Sequence, residues 1–477
     1  MDKINDFLLN IAANVNTYLS NYILIILLVG CGLLFTIRTR FVQVRCFGEG
    51  MKRVFGNIKF FGGKQSGGLS SFQALATAIA AQVGTGNIVG ACGAILIGGP
   101  GAIFWMWIIA FFGMATIYAE AVLAQHTKKV NEDGSVEGGP VYYIKSAFKG
   151  GFGKFLAGFF AVAIVLALGF MGSMVQSNSI AGACETAFKM EGYGWIIGIA
   201  VAVIAGIIFL GGVQRIASVT EKLVPVMAVL YILGGIVILA LRAKYIPETF
   251  GMIFKFAFQP QAILGGTFGA AIAAAITQGV KRGLFSNEAG MGSTPHAHAL
   301  AKVEKPHDQG VVAMIGVFID TFIVLTMTAL IVISTLYTGD GVLADVVKNG
   351  TTDFAASAKA LGIEKNNMVQ AAFQSLFGDG FGGIFVAICL LFFAFSTILS
   401  WNYFGKINFQ YLFGKKATPV YTVISLIFIF LGSLFSSDLV WELADMFNNL
   451  MVIPNVIALV ALSGIVAVAS KKIKKNK

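Results

Sequence analysis

Residues 80–90 read AAQVGTGNIVG, a glycine-rich and polar stretch in the middle of an apolar run from Ser71 to Gly98. Its three glycines and three polar side chains are Gly84, Gly86, Gly90, Gln82, Thr85 and Asn87. Glycine weakens a helix, and polar or unwound backbone inside a bilayer is tolerated only where it lines a cavity. We therefore predict a membrane helix that is broken near its middle. A seam of small residues between two helices is the alternative, although such a seam does not require Gln, Thr and Asn together.

The composition of the chain explains why this run is assigned to a membrane. Of its 477 residues, 57% are hydrophobic and 12% are charged, whereas soluble domains carry about 25% charged residues. No soluble fold of this length could bury so much apolar surface, so we expect lipid to be the main solvent. The formal net charge of +11 then indicates basic cytoplasmic loops and not a nucleic-acid partner.

Apolar stretches of roughly 17–25 residues can cross a bilayer, and the chain contains about eleven candidates. They are Leu19–Ile37, Ser71–Gly98, Gly101–Gln125, Phe155–Phe188, Trp195–Leu210, Val219–Leu241, Ile263–Gln278, Val311–Leu336, Phe381–Trp401, Pro419–Phe435 and Phe447–Ala469. With the N-terminus outside the cell, 26 of the 34 lysines and arginines fall in cytoplasmic segments. Because basic residues concentrate on the cytoplasmic side, we expect an outside N-terminus and a cytoplasmic C-terminus in the cell membrane.

The seventh apolar stretch has a similar interruption. Thr277, Gln278 and Gly279 interrupt its apolar run, and the glycine-rich segment LFSNEAGMGSTPHAHA follows at 284–299. Interrupted spans at corresponding positions of two five-helix halves are typical of secondary transporters with inverted repeats.

The sequence therefore predicts an all-α integral membrane fold, treated as a single transporter domain over residues 1–477. A 5+5 inverted repeat with broken helices occupies 71–241 and 263–469. An extra N-terminal helix lies at 19–37, and a basic cytoplasmic tail lies at 470–477.

A broken helix of this kind has a direct chemical use. The free N–H groups at the N-terminus of a half-helix carry partial positive charge and can bind a carboxylate. Unwound carbonyls and side-chain oxygens can coordinate a hard cation such as sodium. A zwitterionic amino acid together with sodium suits such a site.

Five sequence motifs resemble those of one family, the sodium:alanine symporters (alanine or glycine:cation symporters). They are GGPGAIFWMWIIAFFG at 98–113, VGTGNI at 83–88, EGGPVYYI at 137–144, GGVQRIASVTEKLVP at 211–225 and GLFSNEAGMGSTPHAHA at 283–299. The family is similar in fold to the leucine-transporter-like group, in which ten core helices form two inverted halves. The resemblance implies sodium-coupled import of a small neutral amino acid, alanine or glycine, by alternating access.

The resemblance also implies a substrate site between the broken helices. Its members are Gly84, Thr85 and Gly86 through backbone N–H groups, Asn87 and Gln176 through their side chains, Thr277, Gln278 and Gly279 as the opposite wall, and Trp401 as the cap over a small side chain.

The ninth apolar stretch provides the expected sodium ligands. Ser396 and Thr397 are adjacent hydroxyls deep in an apolar helix. In the related fold, two such hydroxyls and a carbonyl one turn earlier, here Phe393, meet carbonyls of the broken helix, here Ala80 and Val83. The alternative is that both hydroxyls only bond back to carbonyls of their own helix, as is common in membrane helices.

Asp320 leaves a second coupling ion open, because an acidic residue within a membrane span is a candidate functional group. A proton-coupled amino-acid permease of the same fold, with Asp320 as the relay, is the nearest alternative to sodium symport. An ion channel and a membrane enzyme are less favoured, because neither a filter motif nor a nucleophile–base–orienter set is evident. No GxxxxGK[ST] motif is present, so we expect neither ATP nor any cofactor besides sodium as the coupling ion.

Overall fold

The computed structural model describes residues 2–56, 69–132, 134–258, 268–348 and 353–471, and these are almost entirely helical. A short antiparallel hairpin of β1 (Lys129–Val130) and β2 (Val136–Glu137) is the only sheet in this part of the chain. The beginning of the second predicted repeat, at 263–267, and most of the basic tail lie outside the described residues.

The helices fall into three groups along the chain. The first contains α1 (Asp2–Tyr18), α2 (Ile25–Arg38), α3 (Val42–Arg45) and α4 (Phe47–Phe55). The second contains α5 (Ser71–Gln82), α6 (Ala91–Gly98), α7 (Ala102–Thr127), α8 (Pro140–Ala147), α9 (Gly150–Ile164), α10 (Ser173–Phe188), α11 (Gly194–Phe209), α12 (Gly212–Leu241) and α13 (Ile246–Phe258). The third contains α14 (Phe268–Asn287), α15 (Pro295–Ala299), α16 (Pro306–Val317), α17 (Thr326–Val332), α18 (Ala344–Lys348), α19 (Phe354–Ala360), α20 (Met368–Phe413), α21 (Thr418–Gly432), α22 (Ser437–Ala461) and α23 (Ser463–Ala469).

Several of these helices are joined by π-helical or 3₁₀ turns and so form longer rods. The π-helical turns are Leu19–Leu24, Gly86–Gly90, Val165–Gly172, Phe318–Leu325 and Ile333–Tyr337, and the 3₁₀ turns are Ala243–Tyr245 and Lys415–Ala417. π-Helical turns are frequent at functional sites. Two of them lie in the candidate site described below, at Gly86–Gly90 and Phe318–Leu325.

The first predicted break is confirmed. A capping box between Ser70 and Gln73 starts α5, and the reciprocal bonds satisfy two N–H groups that the first turn leaves open. The helix ends at Gln82, because Val83 leaves the helical region with φ −81° and ψ 87°. The chain resumes as the π-helical turn and α6 after a bend of 44°.

The second break is not where the sequence analysis put it. The predicted interruption at Thr277–Gly279 is wrong, because α14 runs without a break from Phe268 to Asn287. The helix ends ten residues later, where Glu288, Gly290 and Gly292 have φ values of 59°, 94° and 80°. Glycine adopts such left-handed backbone readily, so the chain unwinds there before α15 begins.

The predicted spans agree with long apolar helices over most of the chain. Among the described residues, eight helices are long and apolar enough to cross a membrane, and the bent pair formed by α5 and α6 makes a ninth. The apolar helix α11 is shorter, with 16 residues. The count of about eleven spans therefore stays a prediction.

The outer surface of these helices is apolar. Large hydrophobic side chains such as Ile26, Ile204, Leu233 and Val423 are exposed on α2, α11, α12 and α21. The polar side chains considered below are instead buried, where α5, α10, α14, α16, α20 and α22 pack together. An apolar exterior around a polar interior is what lipid as the surrounding solvent requires, so the chain is a multi-pass membrane protein.

Lys281 and Arg282 follow the predicted span Ile263–Gln278 and belong to the 26 basic residues assigned to cytoplasmic segments, yet they lie within α14. They are nearly buried and pair with α22: Lys281 Nζ is 2.8 Å from Asp445 and 3.2 Å from Glu442, and Arg282 is 3.1 Å from Asp445. Their assignment to a loop is wrong. Without these two, 24 of the original 26 basic residues remain in the segments assigned to the cytoplasm, and the orientation itself stays a prediction.

Candidate functional site

The backbone of the first break is held by one of its own side chains. The Oδ1 atom of Asn87 accepts a hydrogen bond from the N–H of Gly84 at 3.0 Å, and the N–H of Asn87 donates to the Gly84 carbonyl at 3.3 Å. Unwound backbone buried from water must find partners for its polar groups. Asn87 therefore stabilises the break, in addition to its expected role toward a substrate or ion.

Oxygen atoms of α5 and α20 meet beside this break. Thr397 Oγ1 is within hydrogen-bond distance of the carbonyls of Ala80, at 2.8 Å, and Phe393, at 3.1 Å. Ser396 Oγ is 2.9 Å from the Phe393 carbonyl and 3.5 Å from that of Ala80. All four residues are buried. The hydroxyls thus bond back to their own helix and also face the broken helix.

Val83, the fifth expected sodium ligand, follows directly after the helical part of the broken span. Its N–H donates to the Ile79 carbonyl at 2.7 Å. The next residue, Gly84, lies against the Thr397 hydroxyl. The structure therefore brings Ala80, Phe393, Ser396 and Thr397 together, and Val83 lies in the chain between Ala80 and Gly84.

Gly84 and Gly86 let two other helices approach the break. A Cβ atom at Gly84 would clash with the hydroxyl of Thr397, and a Cβ atom at Gly86 would lie 2.9 Å from the Cα of Ser286. Glycine at these positions is thus required by close packing. The missing side chains place the break directly against the oxygen atoms of α20 on one side and against α14 on the other.

Gln176 of α10 closes a further side of the break. Its Oε1 atom accepts from the N–H of Thr85 at 3.3 Å. Among the described residues, neither its Nε2 atom nor the hydroxyl of Thr85 has a hydrogen-bond partner, although both atoms are buried. Buried polar atoms without partners are uncommon in folded proteins, and these two are available to bond a polar group beside the first break.

Trp401 is buried on α20, one turn beyond Thr397. Its indole N–H donates to the carboxylate of Glu288, and its ring packs edge-on against Phe285 at 5.6 Å. Gly172 leaves room for the ring, since a Cβ there would clash with it. The indole is therefore fixed between α20 and the second broken helix, next to the first break.

The second break, residues 288–294, is held by buried side chains. The carboxylate of Glu120 on α7 accepts from the N–H groups of Gly290, at 3.1 Å, and Gly292, at 2.9 Å. It also accepts from Asn455 Nδ2 at 2.7 Å. Glu288 accepts from the hydroxyl of Ser293 within the same segment. Glu120 is therefore a structural anchor of this break and does not extend toward the membrane surface.

Asp320 lies between the two breaks. Its carboxylate accepts from Asn87 Nδ2 at 2.6 Å, from Ser286 Oγ at 3.0 Å and from Thr321 Oγ1 at 2.7 Å. Gln82 makes a second connection, since its Nε2 atom donates to the Asn287 carbonyl at 2.8 Å. The ends of both broken helices are thus joined to each other and to the turn Phe318–Leu325.

The structure places Gln278 and Gly279 elsewhere, and Thr277 precedes them on the same uninterrupted helix. Gly279 packs against α7, where a Cβ would lie 2.5 Å from Cβ of Trp105, and Gln278 packs beside Gly98 at the far end of α6. Phe285 and Ser286 are the residues of α14 that lie against Gly86 in the first break. The sequence analysis missed these two, although the polar and glycine-rich segment that begins there was a signal for them.

Comparisons with known proteins identify relatives over nearly the full length of the chain. A protein-family model described as the sodium:alanine symporter family matches residues 5–477. The chain is 42% identical to the sodium/alanine symporter AgcS of Methanococcus maripaludis, with 97% of each chain covered. It is also 40% identical to the putative sodium/proton-dependent alanine carrier protein YrbD of Bacillus subtilis, covering 98% of this chain and 92% of that one. With the probable sodium/glutamine symporter GlnT of Bacillus subtilis the identity is 38%, over 100% of this chain and 92% of the relative.

Among solved structures, the crystal structure of MhsT in complex with L-phenylalanine superposes with a TM-score of 0.59. It covers 86% of this chain and 97% of its own, at 15% sequence identity. At that identity the likeness concerns the fold alone. The predicted leucine-transporter-like arrangement of helices is confirmed.

Proposed function

The chain belongs to the sodium:alanine symporter family, and on that premise we propose that it imports a small neutral amino acid, alanine or glycine, together with sodium. The chain acts as a secondary active transporter that exposes one central site alternately to the two sides of the membrane. Its partners are then the amino acid, sodium and the surrounding lipid.

The observation that carries the proposal is the group of oxygens between α5 and α20. Ala80 and Phe393 contribute carbonyls, and Ser396 and Thr397 contribute hydroxyls, all within 3.5 Å of a neighbour in the group. Each hydroxyl has one proton to donate but two lone pairs, so both can face a cation. Uncharged oxygens beside a broken helix suit a monovalent hard ion, and the Val83 carbonyl would complete the set.

The substrate carboxylate is assigned to the N–H groups of Gly84, Thr85 and Gly86. Two of these groups already donate to neutral side-chain oxygens, Gly84 to Asn87 and Thr85 to Gln176. Gln176 is an amide whose Nε2 atom has no partner among the described residues, so it can turn to donate from nitrogen instead. An arriving carboxylate then replaces Gln176 at the Thr85 N–H and gains a bond from its NH₂ group. Asn87 keeps its bond to Asp320 and borders the bound carboxylate, so both amides are substrate-site residues in this proposal.

Trp401 sets the upper limit on side-chain size in this proposal. Its indole is anchored by Glu288 and packed against Phe285, so a bulky substrate would have to displace a fixed ring. Phe285 and Ser286 replace Thr277, Gln278 and Gly279 as the wall contributed by α14, because they lie against Gly86.

The test is uptake of radiolabelled alanine into proteoliposomes, with the sodium gradient and the membrane potential set independently. The sodium gradient alone should drive alanine accumulation. The membrane potential alone should do so as well, when sodium is present at equal concentration on both sides. Uptake that proceeds equally well without sodium would contradict the proposal.

Proton coupling is the second candidate, and one observation favours it. Asp320 is a buried carboxylate that accepts from Asn87 in the first broken helix and from Ser286 in the second. Its protonation would therefore change the hydrogen bonds that connect the two broken helices. The name of one relative also mentions protons. Sodium replacement at constant pH separates the two candidates.

The repeats 71–241 and 263–469, an N-terminus outside the cell and a cytoplasmic C-terminus complete the proposal. The positions of the two breaks, in α5–α6 and α14–α15, support the repeats, and the basic residues outside α14 support the orientation. Protease access to a C-terminal tag in sealed, right-side-out vesicles tests the orientation.

A further inference from the structure

A second group of ligand-type side chains lies away from the broken helices, where α4 meets α16 and α7. Cys46, Glu49 and His307 can each offer one ligand atom, and these three atoms lie within 4.8 Å of one another. Cys46 joins α3 to α4, Glu49 follows in the first turn of α4, and His307 is the second residue of α16. Thiol, carboxylate and imidazole are the usual zinc ligands.

The backbone holds the two helices at a fixed short distance. Gly50 of α4 lies against α16, where a Cβ would be only 2.7 Å from the Val311 carbonyl oxygen. The preceding helix is tied down as well, since Arg45 donates to the Ser470 carbonyl at 2.7 Å. The side chains of Cys46, Glu49 and His307 are therefore brought together by packing that needs no ion.

The imidazole is oriented as in a metal site. His307 Nδ1 is 2.7 Å from the hydroxyl of Tyr118 on α7, and Nε2 points toward Glu49 at 3.4 Å. Histidines that bind metal through one ring nitrogen are generally held by an oxygen atom at the other. With Nδ1 protonated and donating to Tyr118, the lone pair of Nε2 faces Glu49.

Arg53 is the present partner of Glu49, at 3.1 Å, and it also bonds Asp308 at 2.8 Å. Both Arg53 and Glu49 side chains are 40% exposed, so water screens their attraction. A divalent cation can replace Arg53 at Glu49, and Arg53 keeps Asp308 as its partner.

We propose that Cys46, Glu49 and His307 form a binding site for a divalent cation of the zinc class. The thiolate of Cys46, the carboxylate of Glu49 and Nε2 of His307 are three ligands, and water completes a tetrahedron. The thiol proton is released to solvent on binding. A thiolate favours zinc or cadmium over hard cations such as sodium, so this site is separate from the coupling-ion site and does not depend on the proposed transport function.

The test uses the purified full-length protein and the metal alone, with no transport step. Cadmium is added as a probe, because bonding to a thiolate produces an ultraviolet charge-transfer band, and zinc binding is measured by competition with a chelating dye. We expect one tightly bound metal per chain and a cadmium–thiolate band.

Tyr118→Phe should weaken metal binding about 10–100-fold, the usual effect of losing an outer-shell partner, and His307→Gln should weaken it at least as much. Cys46→Ser should remove the band.

Matched controls are Cys184→Ser, which removes a half-buried thiol elsewhere, and His126→Gln, which removes an exposed histidine; neither should change binding. The absence of a cadmium–thiolate band in the wild-type protein would overturn the proposal without any variant. So would a band that survives in Cys46→Ser or disappears in Cys184→Ser.

Discussion

Asn87 Nδ2 lies 2.6 Å from a carboxylate oxygen of Asp320 and 3.1 Å from its main-chain carbonyl. The same Asn87 side chain accepts from Gly84 inside the first break, and the same Asp320 carboxylate accepts from Ser286 near the second. One amide and one carboxylate thus connect both broken helices. A change in the charge at this place should therefore affect substrate and ion binding together.

The first prediction concerns the coupling ion. Replacing sodium with a large organic cation at constant pH should abolish alanine uptake, and a pH gradient without sodium should not restore it. One sodium moving with a zwitterion carries one charge, so 100 mV should contribute about 2.3 kcal/mol and a tenfold sodium gradient about 1.4 kcal/mol. If a pH gradient alone drives uptake and Asp320→Asn abolishes that uptake, proton coupling is the correct mechanism.

The second prediction concerns the hydroxyls of α20. Ser396→Ala and Thr397→Ala should each raise the sodium concentration for half-maximal uptake at least about tenfold, because a bond to a charged group contributes about 1.5–3 kcal/mol. Maximal uptake should change less. Ser400→Ala is the matched control, since this buried hydroxyl lies one turn further along the same helix. Unchanged sodium dependence in both variants would mean that the hydroxyls serve only their own helix.

The third prediction concerns substrate size. Wild-type uptake of alanine should be inhibited by glycine, weakly by serine, and hardly by leucine. Trp401→Ala should extend inhibition to valine or leucine. Because truncation of a buried tryptophan costs about 3–5 kcal/mol of stability, Trp401→Phe is the second variant; it keeps a smaller aromatic ring and loses the bond to Glu288. Trp195→Ala, at an exposed position, is the control. Equal transport of leucine and alanine by the wild type would remove Trp401 from the site.

The fourth prediction concerns Gly84. Gly84→Ala should weaken alanine and sodium binding together, because the added Cβ would clash with the Thr397 hydroxyl and push α20 away from the break. Overpacking of this kind costs about 1–3 kcal/mol. Gly158→Ala is the control, since a Cβ there has open space around it. Both binding constants can be measured by uptake kinetics, and the thermal stability of each purified variant separates a local effect from unfolding. A variant that loses alanine affinity but keeps sodium affinity would place Gly84 away from the ion ligands.

The first break could be predicted because everything that specifies it is local. Glycines and amides occur together within AAQVGTGNIVG, and Asn87 bonds back to Gly84 only three residues away. Ser396 and Thr397 were also visible as adjacent hydroxyls in an apolar helix, although only the family resemblance indicated that they face Ala80. The sequence therefore indicated the two hydroxyls, and the family resemblance indicated their partners; the ion site itself stays a prediction.

The second break could not be placed correctly because distant residues determine it. Gly279 interrupts the apolar pattern, but it serves close packing of α14 on α7 beside Trp105. Lys281 and Arg282 read as the beginning of a loop, yet both lie in the helix, where they pair with Glu442 and Asp445 of the distant helix α22. Helix pairing of this kind is tertiary information, so a single sequence could not distinguish it from a helix end.

The carboxylate of Glu120 should limit the mobility of the second break. Residues 288–294 are not helical, yet the Gly290 and Gly292 amides both donate to one buried acid that Asn455 also holds. Amide protons exchange with solvent only when such bonds open. We expect deuterium exchange at these two glycines to be as slow as in the neighbouring helices. The unwound segment then moves as part of a rigid body, and the bending during transport has to occur elsewhere in the chain.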